Sequence, residues 1–567
     1  MLKKVLILYE TKTKNKLMQK NRFVIISLLI LVVSLYWTMP VFNYGFWGLP
    51  FYLVLFLLVF ILKPILSSST PLVQVSKKGE ATWNKIDFKI NKYLAVGIVV
   101  CVIYATLVPI VTSWSLFRNQ SYRDLIGKVE IGINFKHHMT PISLDKIRVV
   151  DQDLAYNLGD KVLGAQSGLG SQVTLGEFTI QKVNDQLYWV APLLHSGFFK
   201  WNKNRVGTPG YVMVNATNER DVKLLQQVGG KPVRIKYQSE AFFGDNLYRH
   251  IYMNGHCTEG LTDFTFEIDD KGVPYWVVTK YKKKVGFYGS DAVSVLVVDA
   301  ATGEIKEYEM THVPTWIDRI QPEKFIEEQL NDWGEYVHGY WNFSNENKLK
   351  ITEGLTLVYG EDNKSYWYTG LTSVGSDEST VGFVLVDTRT KKAIWYKQSG
   401  ATESAAQNSA MGKVQEKGYE ATVPTPYNIN NIPTYVMTLK DNAGLVKMYA
   451  MVAIEDYTIV GVGNTLMETL MAYRNAFNTS GNRLNTQSLS QKRTKRALIS
   501  RINSDVKNGN SYYYFTILGE DKIFVGTTQI SNDFPLTYAN DSIEIVYEND
   551  DEKLIGVSSF ENLSLKK

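Results

Sequence analysis

The chain has 567 residues, which is too many for one compact domain and enough for three or four. Its formal net charge of +5 provides no broad basic field, so the composition does not support a nucleic-acid-binding protein. Hydrophobic residues make up an ordinary 45% of the chain, but the long apolar runs are concentrated near its N-terminal end.

Three apolar stretches predict membrane-spanning helices over 23–41, 46–62 and 93–114, within a membrane anchor of residues 23–117. Each stretch spans or nearly spans a hydrocarbon core of about 30 Å, at a rise of about 1.5 Å per residue. None contains Asp, Glu, Lys, Arg or His between its ends, which favours an anchor over a conduit for ions or substrates. A signal peptide is an alternative for the first stretch, but its length and the sequence at Thr38 do not suit cleavage. A hairpin that re-enters without crossing is an alternative for the first two.

The distribution of Lys and Arg predicts the orientation of this anchor. Residues 1–22 form a basic tail with a single acidic residue, Glu10, and the segment 63–92 between the second and third spans is also rich in lysine. Positively charged segments remain on the cytoplasmic side of a membrane. The sequence therefore predicts a multi-pass protein of the cell membrane with a cytoplasmic N-terminus and a large extracytoplasmic region after Trp114.

The region 118–478 is predicted to be an α+β array of repeated units, each with a helix and an antiparallel β-hairpin. The hairpins are expected near residues 176–237, 261–320, 355–400 and 421–477. In each, an aromatic position opens a strand, and a later strand ends in an acidic or amide residue beside a turn. Those two positions are Trp189 with Asn215, Trp276 with Asp299, Trp367 with Asp387, and in a degenerate fourth copy Tyr435 with Glu455. Helices are expected over Ser143–Leu163, Ser239–Met253, Pro322–Tyr336, Glu403–Lys417 and Asn464–Phe477.

The strand and turn Val298-Asp-Ala-Ala-Thr-Gly-Glu-Ile, in the second copy, resemble the PepSY-type unit of bacterial envelope proteins. The match is best over Val295–Ile305, and the third copy retains only Val386-Asp-Thr-Arg-Thr. The resemblance implies a membrane-anchored regulator or protein-interaction module. It brings no catalytic residues with it.

The C-terminal part begins with a polar, basic linker over 479–496. Four or five short strands follow within 497–567, which predicts a small β-barrel of OB-like or SH3-like type.

Five residues are candidates for ligand binding: Trp189, Trp276, Trp367, Asp377 and Glu378. The three tryptophans share one position of the repeat, where packing in the core is the alternative to a ligand platform. The two carboxylates lie in the loop of the third hairpin and suit acid–base chemistry or calcium binding, with a solvated turn as the alternative.

A second acidic group, Glu267 with Asp269 and Asp270, precedes the second hairpin and has the same alternatives. The group His250, His256 and Cys257 lacks the further ligands that a metal site requires. Since no hydrolase, phosphate-loop, dinucleotide or metalloprotease motif is present, no catalytic residue, metal or cofactor is predicted.

The sequence therefore predicts a non-catalytic, membrane-anchored binding, scaffold or regulatory protein of the bacterial cell envelope. Its expected partner is an envelope protein or a wall polymer, not a nucleic acid. An envelope enzyme that uses the carboxylate-rich hairpin loops and a subunit of a larger membrane complex are the alternatives.

Overall fold

A computed structural model describes residues 23–61, 73–75, 81–83, 92–132, 135, 139, 142–166, 168–360, 364–374, 379–480, 492–507, 510–528, 530–548 and 554–566. The predicted basic tail, most of the basic linker, and the candidate residues Asp377 and Glu378 lie outside these residues.

The N-terminal part contains apolar helices whose side chains are largely exposed. The bounds of the helices and strands up to the first repeat are α1 Phe23–Thr38, α2 Gly48–Ile61, β1 Val73–Val75, β2 Ala81–Trp83, α3 Lys92–Ser113, α4 Ser115–Arg123 and β3 Glu130–Gly132. Of the helices in the described part of the chain, α3 alone is both long and apolar enough to cross a membrane. The other two apolar helices are shorter over their described residues, so the expectation of three spans is not confirmed.

Four units of one architecture follow, each with a helix and then a mainly antiparallel sheet; in the first, third and fourth units the first two strands both pair with the third. The first unit contains α5 Gln152–Gly164, β4 Val173–Leu175, β5 Thr179–Val183, β6 Gln186–His195, α6 Phe198–Lys203, β7 Tyr211–Asn215 and β8 Val222–Leu225, followed by the hairpin β9 Gln227–Val228 and β10 Lys231–Pro232. The second contains α7 Leu247–Met253, β11 Gly260–Ile268, β12 Pro274–Val285, β13 Tyr288–Asp299 and β14 Ile305–Glu309.

The third and fourth units repeat this order. The third contains α8 Glu323–Glu335, β15 Leu349–Ile351, β16 Thr356–Tyr359, β17 Ser365–Ser373, β18 Ser379–Thr380, β19 Gly382–Asp387, β20 Ala393–Tyr396 and β21 Gly400–Ala401. The fourth contains α9 Glu403–Gly412, β22 Glu420–Ala421, β23 Thr425–Ile429, β24 Ile432–Lys440, β25 Val446–Ala453 and β26 Val460–Gly463, and α10 Leu466–Thr479 follows it. The predicted α+β class is confirmed, with mainly antiparallel sheets.

The strand register is the same in all four units. The shared aromatic position pairs with a valine in each: Trp189 with Val214, Trp276 with Val298, Trp367 with Val386, and Tyr435 with Val452. In the fourth unit the residue that follows this valine is Ala453, so the match of Glu455 to Asp299 and Asp387 was wrong. The expected spacing of the fourth copy failed because its hairpin is shorter, so that cross-strand pairing puts Ala453 at this position, and Asp456 accepts the amide of Thr458 in the turn.

A common hydrogen bond ties the strand to the helix in every unit. The indole N–H donates to a backbone carbonyl that precedes the helix, from Trp189 to Val150 at 2.7 Å, from Trp276 to Tyr237 at 2.7 Å and from Trp367 to Gln321 at 2.9 Å. In the fourth unit the hydroxyl of Tyr435 lies 3.5 Å from the carbonyl of Ala401. Because a buried donor needs a partner, this helix–strand tie explains why an aromatic residue with a polar hydrogen recurs at the position.

Neighbouring units share apolar cores. One cluster joins the first sheet with α7 and the second sheet, and another joins the third sheet with α9 and the fourth sheet. A third cluster packs the opposite face of the first sheet and α5 against α8 and the third sheet. Helix α10 covers the outer face of the fourth sheet, where Leu470 and Tyr473 are buried. Each unit therefore completes its core with a neighbour, as expected for stacked repeats.

The C-terminal strands are β27 Lys492–Lys507, β28 Asn510–Ile517, β29 Ile523–Thr527, β30 Ser542–Glu548 and β31 Leu554–Asn562. They close into a five-stranded barrel of order β27-β28-β29-β31-β30, in which β29 and β31 are parallel. Phe515, Phe524 and Phe560 fill its interior. Of the two barrel types expected, the parallel pairing of the third and fifth strands fits the OB-like one.

The second unit is seated on the ends of the apolar helices. The turn between β12 and β13 reaches α3, where the amide of Phe287 donates to Ser113 Oγ at 2.8 Å. The hydroxyl of Tyr252, in α7, donates to the carbonyl of Pro40 at 2.6 Å, and the amide of Phe42 donates to the carbonyl of Cys257 at 2.8 Å. These contacts hold the second of the four units against the ends of the apolar helices.

Candidate functional site

A cleft of about 490 Å³ lies where the first, second and third units meet. The first unit contributes the residues around β5 and β6, the second contributes α7 and β11, and the third contributes the segment leading into α8. The lining residues are Glu177, Thr179, Pro192, Leu194, Ser239, Asn246, Leu247, Tyr248, Asp263, Phe264, Thr265, Phe266, Trp276, Arg319 and Glu323. Clefts of this size with aromatic walls and a few polar groups are the usual form of a ligand site.

The walls of the cleft are aromatic and aliphatic, whereas its charged groups are mainly acidic. Glu177, Asp263 and Glu323 supply three carboxylates, and Arg319 is the one cation among the lining residues. Glu177 and Glu323 are exposed, and Asp263 and Arg319 are half-buried. A cleft of mixed polar and apolar lining with an excess of carboxylates suits a ligand that carries a positive charge or hydrogen-bond donors.

A bulge in β11 brings acidic side chains to one side of the second sheet. The register of β11 with β12 shifts between Thr262 and Thr265, and Asp263 has a positive φ of 54°. Burial raises the pKa of Asp263, and the nearby Arg319 opposes this shift. The strand alternation then places Thr265 and Glu267 on the same face, opposite Phe264 and Phe266.

Glu267 is buried behind the cleft, with 4% of its surface exposed. Its Oε1 accepts a 3.0 Å hydrogen bond from Thr265 Oγ1, and its Oε2 has no hydrogen-bond partner in the described structure. Burial raises the pKa of Glu267 to about 8, and the charge of Arg319 opposes that rise. A carboxyl group in such surroundings keeps its proton near neutral pH, as desolvation disfavours the charged form.

Further polar groups of the three units meet beside Glu267. Asp318 Oδ2 accepts a 2.7 Å hydrogen bond from the amide of Lys182 in β5, and burial raises the pKa of Asp318 to about 6. Tyr359, in the third unit, donates to the carbonyl of Ile180 at 3.3 Å. Burial raises the pKa of Tyr359 far above its usual value. The junction therefore brings buried titratable groups of the second and third units against backbone groups of the first, and desolvated titratable groups of this kind are typical of functional sites.

The first and second units are also joined across the cleft wall by side-chain to backbone hydrogen bonds. Thr179 Oγ1 donates to the carbonyl of Phe266 at 2.7 Å, and Gln181 Oε1 accepts from the amide of Ile268 at 2.9 Å. These bonds fix β5 beside β11, so the position of the cleft wall depends on the packing of the two units.

The structure separates the five predicted binding residues. Trp276 lines the cleft, whereas Trp189 and Trp367 do not, and all three are buried with the indole N–H used in the helix–strand tie. A binding role of Asp377 and Glu378 stays a prediction, since they lie outside the described residues.

The second acidic group was interpreted too simply as a solvated turn. Asp269 does form a turn, in which its Oδ1 accepts the amides of Lys271 and Val273 at 2.9 and 2.8 Å. Glu267, however, is buried, because the segment before α8 and the third unit cover this face of the sheet. The alternation Asp263-Phe-Thr-Phe-Glu predicts a strand with one polar face, but local sequence does not show that a distant segment covers that face.

The histidines near Cys257 have structural partners. His250 Nε2 lies 2.8 Å from the carbonyl of Gly303, and His256 Nδ1 lies 3.8 Å from a carboxylate oxygen of Glu307. No group of three or more His, Cys, Asp or Glu side chains able to hold a metal ion occurs among the described residues.

No protein-family model matches the chain, and no curated protein matches it either. Among solved structures, the crystal structure of a mutant levansucrase from B. megaterium matches with 8% sequence identity and a TM-score of 0.17, over 74% of this chain and 97% of that chain. A likeness this weak carries no inference about fold or activity.

Proposed function

We propose that this chain is a membrane-anchored, non-catalytic binding and scaffold protein of the bacterial cell envelope. Its ligand would be a segment of an envelope protein or wall polymer that presents cationic or hydrogen-bond-donating groups to the cleft. The observation that carries the proposal is the cleft at the three-unit junction, with aromatic walls and three carboxylates against one guanidinium. The PepSY-like resemblance of the second unit is consistent with a regulatory or interaction role.

The anchor in this proposal consists of three spans with a cytoplasmic N-terminus and an extracytoplasmic array and barrel. Helix α3 supports it, since apolar side chains such as Val99, Ile103 and Ile110 are exposed along its length. Exposed apolar side chains all around a helix require a lipid or protein environment. A reporter fused after Lys567 is expected to be active outside the cell, and cytoplasmic activity would overturn the orientation.

The binding role is tested with the full-length protein in detergent, incubated with cross-linked envelope extract and with purified wall fragments. Asp263→Asn and Arg319→Ala change the charge inside the cleft, while Glu309→Gln changes an exposed carboxylate elsewhere, with 84% of its side chain accessible. A component retained by the wild type, Glu309→Gln and Arg319→Ala, but lost from Asp263→Asn, supports the proposal, because only Asp263→Asn lowers the negative charge of the cleft. Retention by all four proteins, or by none, contradicts it.

An envelope enzyme is the second candidate, and one observation favours it. Glu267 has a pKa of about 8, so its carboxyl holds a proton near neutral pH, and a second carboxyl, Asp263, lies close to it on the same strand. If the junction is catalytic, Glu267→Gln should abolish turnover of the retained component without lowering its affinity. Unchanged chemical composition of that component after incubation with the wild type would exclude this candidate.

A further inference from the structure

Four phenylalanines form an exposed aromatic cluster on the first and second units. Phe198 and Phe199 lie at the start of α6, and Phe242 and Phe243 lie in the segment before α7; together they are named the phenylalanine patch. The rings of Phe198 and Phe242 are 5.2 Å apart, and both pack on Trp201, which is buried. A folded protein normally covers such a cluster, so its exposure indicates an interaction surface.

The exposure is concentrated at the outer edge of the patch. Phe199 is 83% exposed and Phe243 is 56% exposed, and the neighbouring Val206 is 66% exposed. Trp201 serves as the buried base, with its indole N–H donating to Asp245 at 3.2 Å. The patch therefore packs on Trp201 on its inner side. On the outer side, no described residue buries the rings of Phe199 and Phe243.

Basic side chains surround these rings. Lys200, Lys203 and Arg205 are exposed, and the guanidinium of Arg205 lies 3.8 Å from the centre of the Trp201 ring. The acidic groups nearby are Asp245, which is half-buried and engaged with Trp201, and the exposed Glu240. Exposed aromatic residues within a ring of Lys and Arg match the interfacial layer of a bilayer, where aromatic rings lie among head groups and cations meet anionic lipid.

The patch is continuous with the ends of the apolar helices. The guanidinium of Arg249 lies 4.0 Å from the ring centre of Tyr36 near the end of α1, while its Nη1 donates to the carbonyl of Phe243 at 3.1 Å. Tyr252, one turn further along α7, is bonded to Pro40 just beyond α1. The patch therefore lies at the same end of the helices as the seat of the second unit.

A second exposed aromatic group lies in the third unit, after a helix that contacts the helical part. Trp341 is 70% exposed and Phe343 is 73% exposed, in the segment that follows α8. The ring of Tyr336, at the end of α8, lies 6.1 Å from that of Tyr122 in α4, the helix directly after α3. Exposed aromatic side chains therefore occur near contacts with the helical part in the third unit as well as in the second.

We propose that the phenylalanine patch docks on the lipid surface of the same membrane, so that the first and second units lie against the bilayer instead of projecting from it. The inference rests on the membrane anchor of the proposed function. It assigns the patch one occupant, the interfacial region of a leaflet containing anionic lipid.

The test uses the full-length protein reconstituted in vesicles of phosphatidylglycerol and phosphatidylcholine, with Cys101 and Cys257 replaced by serine. A bimane fluorophore is attached at Phe199→Cys, and in a matched variant at Tyr538→Cys, an exposed aromatic position on the barrel (70% exposed). Lipids carrying a nitroxide near the head group are expected to quench the Phe199 label several-fold more than the Tyr538 label. Equal quenching at both positions, or none at Phe199, overturns the proposal.

A second set of variants tests how much the phenylalanine rings contribute to docking, with the fluorophore placed beside the patch and not on it. With bimane at Val206→Cys, the pair Phe199→Ser and Phe243→Ser should reduce quenching several-fold, whereas Leu445→Ser with Tyr538→Ser should leave it unchanged. Flotation of each protein with the vesicles reports the anchor separately. If the labelled protein with an intact patch floats with the vesicles but its bimane is not quenched, docking of the patch is refuted and the anchor is not. If that protein does not float, the membrane anchor of the proposed function is refuted.

Discussion

The amide of Phe287, at the tip of the β12–β13 hairpin, donates a 2.8 Å hydrogen bond to Ser113 Oγ at the last residue of α3. Both residues are buried, with 4% and 7% of their surfaces exposed. Gly286 makes this approach possible. It has a φ of 60°, and a Cβ atom there would lie 2.4 Å from Ser113 Oγ and 2.6 Å from Thr112 Oγ1.

Gly286→Ala should therefore displace the hairpin from α3. A left-handed backbone together with a steric conflict predicts a loss of about 1–3 kcal/mol in the free energy of unfolding, measured by thermal melting in detergent. Gly229→Ala is the matched control, since Gly229 has a φ of 56° and nothing within 4 Å of the added atom. An equal loss in both variants would show that the contact with α3 contributes nothing.

Trp367→Phe tests the helix–strand tie, because it keeps the apolar ring and removes the N–H that bonds to Gln321. The carbonyl of Gln321 then loses a partner in a buried setting, which predicts a loss of about 1–3 kcal/mol in the free energy of unfolding. Trp341→Phe, at a position that is 70% exposed, should stay within about 0.5 kcal/mol of the wild type. Comparable melting of the two variants would argue against the tie.

The pKa of Glu267 predicts that the protein becomes less stable as the pH rises. The folded-state pKa of about 8 lies above the ordinary value of 4.5, so between these values the folded state retains a proton that the unfolded state has lost. The stabilisation of the folded state by the retained proton is complete below the pKa that Glu267 has in the unfolded chain. It is lost as the pH rises through the pKa that Glu267 has in the folded protein. Between about pH 6.5 and 8, Glu267 contributes a downward slope of at most about 1.4 kcal/mol per pH unit.

Glu267→Gln should flatten this slope between about pH 6.5 and 8.5, because the amide does not titrate. The measurement is the free energy of unfolding by denaturant at a series of pH values. Glu309→Gln removes an exposed carboxylate and should leave the slope unchanged. A slope in Glu267→Gln as steep as that of the wild type would mean that another group causes it.

Lys391 connects the third unit to the second. Its Nζ lies 2.6 Å from Asp291 in β13 and donates to the carbonyl of Leu125 at 2.8 Å, and both charged side chains are largely buried. Lys391→Met leaves Asp291 without its partner, which predicts a loss of about 2–4 kcal/mol in the free energy of unfolding. Lys306→Met breaks the exposed pair with Glu304 and should cost less than about 1 kcal/mol. The double variant with Asp291→Asn should recover part of the loss if the pair itself is responsible.

Local patterns were sufficient to predict the α+β class and the recurrence of an aromatic strand position. Alternating apolar residues predict strands regardless of distant contacts, and Pro322 with Glu323 indicated the start of α8 within a residue. The degenerate fourth copy was aligned incorrectly at Glu455, since equal spacing along the sequence does not guarantee equal register. Register is determined by cross-strand pairing, which puts Ala453 at that position.

The cleft could not be predicted in the same way, because its walls come from three units. Asp263 and Glu267 share β11, where the alternation predicts one polar face, but Arg319 follows after three further strands, and nothing local indicates that it approaches them. The sequence predicted the place of Trp276 in the repeat. It did not indicate that Trp276 lines the cleft while Trp189 and Trp367 do not.

The second unit takes part in two contacts at once. Its β12–β13 hairpin rests on Ser113 and its α7 on Pro40, while its β11 forms one wall of the cleft. If α3 crosses a membrane as proposed, a change in its tilt is expected to move the second unit and, with β11, one wall of the cleft.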